Sequence, residues 1–396
     1  MGTHYDPTIR LHLCIVTFAI IDPLRYVPGP FLVRFTRAWY CWEIYKGHFE
    51  RTNHQLHTRY GPIVRIAPNE YSIDDVDAAK VIYSIGGDTF PKARCDLDPH
   101  RHSANRRKVA NYYSMSSMVG YECSVDNCTE SLSRHFVESA ISGNLIDMQH
   151  SLQCYAFDVI GEITFGQRFG FWIRERIGMV CLRQLMLEDR PGKITRNDLA
   201  ATCQANVGAG SDTTAITLSS VLYHLLKHPH TYQNLRDEIE IAAKEGRVSD
   251  PITFKEAQGL PYLQAVIKEG LRVHSAVGGS IVGIIAYVAH KNTSVWGSDA
   301  DQWRPERWLE IAEQGRGGEA EKYFFSFGMG SRTCIGKNIS LLELSKLIPQ
   351  LVRKFHFELD ADVERNGGLY SLNRWFVKQQ NFGARVLRRG KDGGME

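Results

Sequence analysis

One stretch constrains this chain more than any other: Phe327-Gly328-Met329-Gly330-Ser331-Arg332-Thr333-Cys334-Ile335-Gly336. Glycines at 328, 330 and 336 permit backbone conformations that a Cβ resists, and they let a flat ligand approach closely. From Ile335 onward, apolar Ile339, Leu342, Leu347 and Leu351 fit a helix, predicted to run to Phe357 with a kink at Pro349. Cys334 then sits at a helix N-terminus, where free N–H groups and the macrodipole favour a thiolate. A thiolate so placed can bind iron, and Arg332 can pair with an anionic group on a ligand's rim. A lone cysteine is more often a buried small hydrophobe. The ordered spacing F-x-x-G-x-R-x-C-x-G is what separates the two cases.

A chain of 396 residues with 43% hydrophobic and 23% charged content has the makings of a large folded core. A formal net charge of +3 is too small to point to a nucleic-acid partner. Nine cysteines, an odd number with no C-x-x-C pair, argue against a disulfide framework or a zinc site and for a reducing compartment. Repeats and low-complexity stretches are not evident.

At the start, Leu11 to Ile21 is apolar apart from His12 and Thr17. Such a segment is shorter than the roughly 20 residues that span a bilayer as a helix. A signal-peptide core, a shortened anchor and a buried element all stay open, secretion being the weakest for want of a small-residue cleavage site. Pro28-Gly29-Pro30 is a stiff break, followed by packed or interfacial helix over residues 31–60 with Phe31, Phe35, Trp39, Tyr40, Trp42 and Tyr45. Strand-like runs over residues 61–73 precede a short helix from Asp74 to Tyr83. The basic run His100 to Lys108 reads as a solvated face, and Ser124 to Phe165 as helix.

Thr195 with Asp198 three residues on marks a helix start. Its periodicity runs to Lys227, roughly 48 Å at 1.5 Å per residue, so the helix crosses the whole molecule. Its middle holds Ala209-Gly210-Ser211-Asp212-Thr213-Thr214, where Gly210 opens room beside the helix, Thr213 can hydrogen-bond its neighbours and Asp212 can carry protons. A charged helix follows over 231–245, then one from Leu260 to Val273 with Glu269 and Arg272 on one face. The tail from Gly390 to Glu396 reads as frayed.

Taken in order, these motifs resemble the cytochrome P-450 family of heme-thiolate monooxygenases over about residues 28–390. The resemblance implies a mainly α fold with a small β portion, with residues 1–30 as apolar segment and hinge and 31–396 as the heme domain. It implies heme b on Cys334, with Phe327 and Arg332 beside it and Gly210, Asp212 and Thr213 on the opposite face. In the family, W-x-x-x-R holds a heme propionate; here the pattern is His102-x-x-x-Arg106, a histidine in the tryptophan's place. The family's E-x-x-R is completed by an arginine from a later P-E-R, giving a Glu269–Arg272–Arg307 brace for the ligand loop. Thiolate ligation pushes electron density onto iron and favours O–O cleavage.

The same resemblance implies electrons from NADPH through a reductase, an apolar small-molecule substrate, a place on the cytosolic face of the endoplasmic reticulum membrane, and a tailoring role of the fungal secondary-metabolite type. Two intervals depart from the pattern: only residues 171–198 separate Gly170 from Leu199, where the family carries its pocket roof, and only 273–302 join Arg272 to Trp303. A heme-binding protein without turnover, or a chain from which internal segments have been omitted, therefore stands beside the monooxygenase.

Overall fold

A computed structural model describes residues 22, 24–83, 98–171, 186, 194–276, 282–283, 285–365, 367–373 and 376–389. The apolar stretch 11–21, most of the shortened interval 171–198, residues 277–281 and the tail from 390 lie outside the described residues. Among the described residues, no helix is long and apolar enough to cross a membrane.

The described chain is mainly helical. Helices α1 (Ala38–Lys46) and α2 (Phe49–Tyr60) lead into the antiparallel pair β1 (Ile63–Ala67) and β2 (Glu70–Ile73), with Ile63 opposite Ile73. Next come α3 (Pro99–Val109), α4 (Glu122–Ser142), β3 (Ile146–Asp147), α5 (Met148–Phe165), the 32-residue α6 (Arg196–Lys227), α7 (Pro229–Lys244) and α8 (Pro261–Val273). The remainder is β4 (Val282–Gly283), α9 (Glu306–Glu313), α10 (Lys337–Lys354), β5 (Phe355–Leu359), β6 (Tyr370–Asn373), β7 (Val377–Gln380) and β8 (Gly383–Arg388), with short helical turns between. Strands pair as β1-β2-β4, β3-β8-β5 and β6-β7.

Each helix follows from local chemistry. Thr195 and Asp198 form a full capping box at the start of α6, and the Asp198 carboxylate also takes Lys108 from α3 at 3.0 Å. Asp98 caps α3, with Pro99 at its first position. From Thr214 to Tyr223 every residue of α6 is buried, so it is the axle of the molecule. Around it pack Leu152, Tyr155 and Val159 of α5, Val266 and Leu271 of α8, and Leu344, Leu347 and Ile348 of α10. Each such side chain contributes about 1.5–3 kcal/mol on burial.

Two predicted spans are corrected. Ser124–Phe165 is two helices, because Gly143 turns into the left-handed region (φ +66°) and β3 follows. The helix predicted to reach Phe357 stops at Lys354. Phe355 and Phe357 are buried alternately with half-buried His356, and that period of two places them in β5 against β8, Phe357 opposite Val386. Pro349 lies inside α10, which continues through it.

The proline break is seated on the first sheet. Arg65 donates its backbone N–H to the Pro28 carbonyl at 2.8 Å, and a Cβ on Gly29 would come within 2.4 Å of the Arg65 carbonyl oxygen. The buried Arg65 side chain holds Asp22 at 2.5 Å and the Leu24 carbonyl at 2.7 Å.

Candidate active site

The ligand loop is built by two left-handed glycines and a closing hydrogen bond. Gly328 and Gly330 stand at φ +68° and +61°, and a Cβ on Gly330 would collide with the Tyr83 carbonyl oxygen, so no other residue fits there. Gly336 has an ordinary φ of −80° and serves as N-cap of α10, its Cα open toward Cys334 Sγ. The Cys334 N–H donates to the Phe327 carbonyl at 2.7 Å, which pins the two ends of the loop together. Cys334 thus precedes the N-cap, and the backbone N–H groups of Gly336 and Lys337 lie on the side of its sulfur where they favour the thiolate.

Cys334 is solvent-accessible, yet protein rings it closely enough that loss of hydration pushes its thiol up from the ordinary value. The two N–H groups and the charges of Arg106 and Lys337 pull the other way without overcoming it. A group both accessible and desolvated faces a cleft, not the outer surface. The helix terminus alone does not make a thiolate here, contrary to the expectation; a bound cation has to displace the proton.

The cleft has a recognisable frame. Half-buried Arg106, on α3, is close enough for its charge to act on Cys334. His102, one turn earlier on the same helix, is also half-buried. Buried Tyr113 interacts with Cys334, donates to Asn206 Oδ1 of α6 at 2.5 Å, and receives Asn338 of α10 on its carbonyl at 2.8 Å. Thr214 of α6 and Ser340 of α10 meet at 3.0 Å between their hydroxyls. Half-buried Phe327 packs on the main core, with the Lys337 ammonium 5.7 Å from its ring centre. The Arg332 backbone closes a 3-10 turn over Gly330–Arg332; its side chain lies outside the described residues.

In the middle of α6, three hydroxyls fold back on the helix: Ser211 to the Val207 carbonyl (2.7 Å), Thr213 to Ala209 (2.8 Å) and Thr217 to Thr213 (3.0 Å). Such back-bonding loosens and bends a helix. The room attributed to Gly210 lies elsewhere: a Cβ there would press on Ile160 of α5 at 3.1 Å, so Gly210 serves close helix packing. The open position is Gly208, whose Cβ would meet nothing within 4 Å, next to exposed Ala205 and Ala209. Asp212 is clamped, its Oδ1 accepting from Gln153 Nε2 at 2.6 Å and facing Lys378 Nζ of β7 at 3.2 Å.

Beneath the loop, Glu269, Arg272 and Arg307 come together, each no more than 2% exposed. Arg272 grips Glu269 with two parallel bonds of 2.9 and 2.8 Å and the carbonyls of His290, Ala300 and Gln302 at 2.7, 2.6 and 3.0 Å. Arg307 lies 3.6 Å from Glu269 and holds Asp299 at 2.7 Å, while Trp308 Nε1 and the Arg304 N–H donate to Glu269 at 3.0 Å each. Every oxygen of the buried carboxylate is satisfied, which is what such burial requires.

Sequence reasoning missed Tyr113, Asn206, Gly208, Gln153, His290 and Lys378. None lies in a spaced motif, so no signal short of the fold brings them to the cleft.

The donor set suits an iron porphyrin: an accessible cysteine sulfur on a closed loop, and in Arg106 a cation near it for a carboxylate rim. A cysteine on a glycine-turned loop, with a buried Glu–Arg–Arg cluster and a molecule-crossing helix, is the arrangement that the resemblance to heme-thiolate proteins implies. The family model for Cytochrome P450 matches residues 172–279 and 278–368. A pisatin demethylase of Fusarium vanettenii is 34% identical, over 93% of this chain and 91% of its own length. Cytochrome P450 monooxygenase gsfF of Penicillium aethiopicum is 29% identical, over 93% of this chain and 94% of its own. Cytochrome P450 monooxygenase hepC of Aspergillus oryzae is 30% identical, over 88% and 91%. The chain belongs to the cytochrome P450 family, and as such is an oxygen-incorporating oxidoreductase. The match to the pisatin demethylase extends over 475 residues, more than the 396 of this chain, so that relative carries internal segments this one lacks.

Proposed function

We propose that the chain is a tailoring monooxygenase that places one atom of O2 into an apolar small molecule of secondary metabolism, drawing electrons from NADPH through a reductase at the cytosolic face of the endoplasmic reticulum membrane. The observation that carries this is Cys334, accessible on a loop that its own N–H closes onto the Phe327 carbonyl, with α6 held to the same region through Asn206 on Tyr113 and Thr214 on Ser340. When bound, heme b supplies the oxygen chemistry. The residues do the rest: Cys334 ligates, Arg106 and Arg332 offer cations to the propionate rim, and His102 completes that edge. Phe327 closes the loop, Thr213 moves a proton beside α6, and Asp212 connects that turn to solvent through the clamp of Gln153 and Lys378.

Support for the substrate class comes from the relatives, one of which is named a demethylase. Their greater length supports a second reading, a heme protein without turnover, because a cleft missing part of its cover does not exclude water well. The test is the carbon monoxide difference spectrum of the reduced, heme-loaded protein. A thiolate-type Soret band is expected and should vanish in Cys334→Ser; its absence in the unaltered protein overturns the proposal. Substrate-dependent NADPH consumption yielding an oxygenated product then separates the monooxygenase from the silent binder.

A further inference from the structure

His290 is 1% exposed and stands where three elements meet. Its Nδ1 donates to the Arg272 carbonyl oxygen at 2.9 Å, and its own carbonyl accepts from Arg272 Nη1 at 2.7 Å. On the far side of the ring, Nε2 accepts from the backbone N–H of Phe325 at 2.9 Å. A carbonyl on one edge and an N–H on the other allow only the neutral ring with its hydrogen on Nδ1. The ring lies flat against Phe324 (5.5 Å, 21°) and edge-on to Trp296 (6.3 Å, 87°), so its plane is fixed. Burial and the neighbouring Arg272 charge push its pKa down to about 3, so it stays neutral at every working pH.

Phe325 opens the ligand loop. The next residue, Ser326, donates its hydroxyl to the Leu271 carbonyl at 2.9 Å, and Phe327 receives the Cys334 N–H at 2.7 Å. A path of buried hydrogen bonds therefore runs from Glu269 through Arg272 to His290 and across to Phe325, from which the chain continues along the loop to the sulfur.

We propose that His290 is a positioning residue which couples the Glu269–Arg272 brace to the ligand loop and fixes the position of the Cys334 segment. Without its Nε2, the Phe325 N–H is left buried with no acceptor, and the loop must shift to find one. The loop is otherwise tied to α8 by the Ser326 hydroxyl, which can pivot. Groups that orient a ligand residue from behind commonly change metal affinity about 10- to 100-fold when removed.

This inference rests on the heme-thiolate reading, and the experiment keeps the two apart. Amide exchange at Phe325 is measured in heme-free protein for the unaltered chain, His290→Phe and His290→Gln. The carbon monoxide spectrum is then taken on the heme-loaded forms. His290→Phe keeps the stacked volume and removes both bonds; His290→Gln returns an acceptor near Nε2. We expect His290→Phe to speed Phe325 exchange about 10-fold or more and to lower the thiolate-type fraction about 10-fold, with His290→Gln recovering most of both. Equal exchange and equal spectra in His290→Phe and the unaltered protein overturn the role of His290. So does a His290→Gln that stays as impaired as His290→Phe. If His290→Phe does not fold, the Gln variant and the exchange of Phe325 in the unaltered chain decide: an unprotected Phe325 amide overturns the proposal. Lack of a thiolate band in the unaltered protein defeats the heme-thiolate reading instead, and leaves the exchange result standing by itself.

Discussion

Gly208 and Gly210 lie two residues apart on α6 yet face different surroundings, one toward open space and the other toward Ile160. Substitution separates them. Gly210→Leu forces extra volume between α5 and α6 and should cost about 1–3 kcal/mol, read as a lower urea midpoint. Gly208→Leu adds the same atoms into open space, which on the proposed reading is the cofactor's side, and removes a helix-interior glycine, so the heme-free protein should keep or gain about 0.5–1 kcal/mol. The heme-loaded protein should bind cofactor or carbon monoxide less well. Equal unfolding midpoints for the two variants would contradict this division. The pair also marks where sequence reasoning ends. Glycine in a helix signals close approach of something, but which of two neighbouring glycines meets a helix and which meets open space is set by the rotation of α6 against α5. By contrast, Gly328 and Gly330 were legible because a tight turn demands glycine wherever it occurs, and Cys334 because it stands at a fixed spacing from them.

At the scale of elements, the brace beneath the loop is the most demanding feature. Glu269, Arg272 and Arg307 come from α8 and α9 and bury their charges together. Removing one charge leaves the others unpaired in a poorly hydrated interior, at about 3–5 kcal/mol. Glu269→Gln keeps the shape and deletes the charge, so its urea midpoint should fall steeply and its heme content on purification with it. A variant with unaltered midpoint and heme content would contradict a bracing role. The sequence pointed to these three residues by spacing, but the acceptors that make the cluster affordable are backbone carbonyls of His290, Ala300 and Gln302, plus Asp299. Backbone acceptors carry no sequence signature. The same blindness explains β5: a run of Phe355 and Phe357 after α10 satisfies either period until its partner strand is known.

Across the whole molecule, proton binding is coupled to folding through histidines held neutral. His224 stacks on Trp303 (4.9 Å, 6°) and its pKa is lowered to about 3 by burial and by neighbouring positive groups; His290 is held equally low. Above pH 6.5, their ordinary value, both are neutral folded or unfolded and stability does not depend on them. As pH falls below that value, only the unfolded chain takes up the protons, so stability is lost progressively toward about pH 3. Each buried histidine contributes a slope of up to about 1.4 kcal/mol per pH unit. Urea midpoints at pH 7.5, 6 and 5 should decline in that order, and His224→Phe, which keeps the stack, should cut the proton uptake on unfolding at pH 5 by about one. An unchanged uptake would show that His224 titrates in the native state.

The meeting of the Thr214 and Ser340 hydroxyls has an outcome for how such a chain can change over time. One end of that contact belongs to α6, the other to the helix that follows the sulfur, so the spacing between the two walls is gauged by the scaffold itself. Whatever covers the opening from above does not set that gauge. Selection can therefore cut, lengthen or exchange the cover to suit new molecules while the reactive chamber keeps its dimensions.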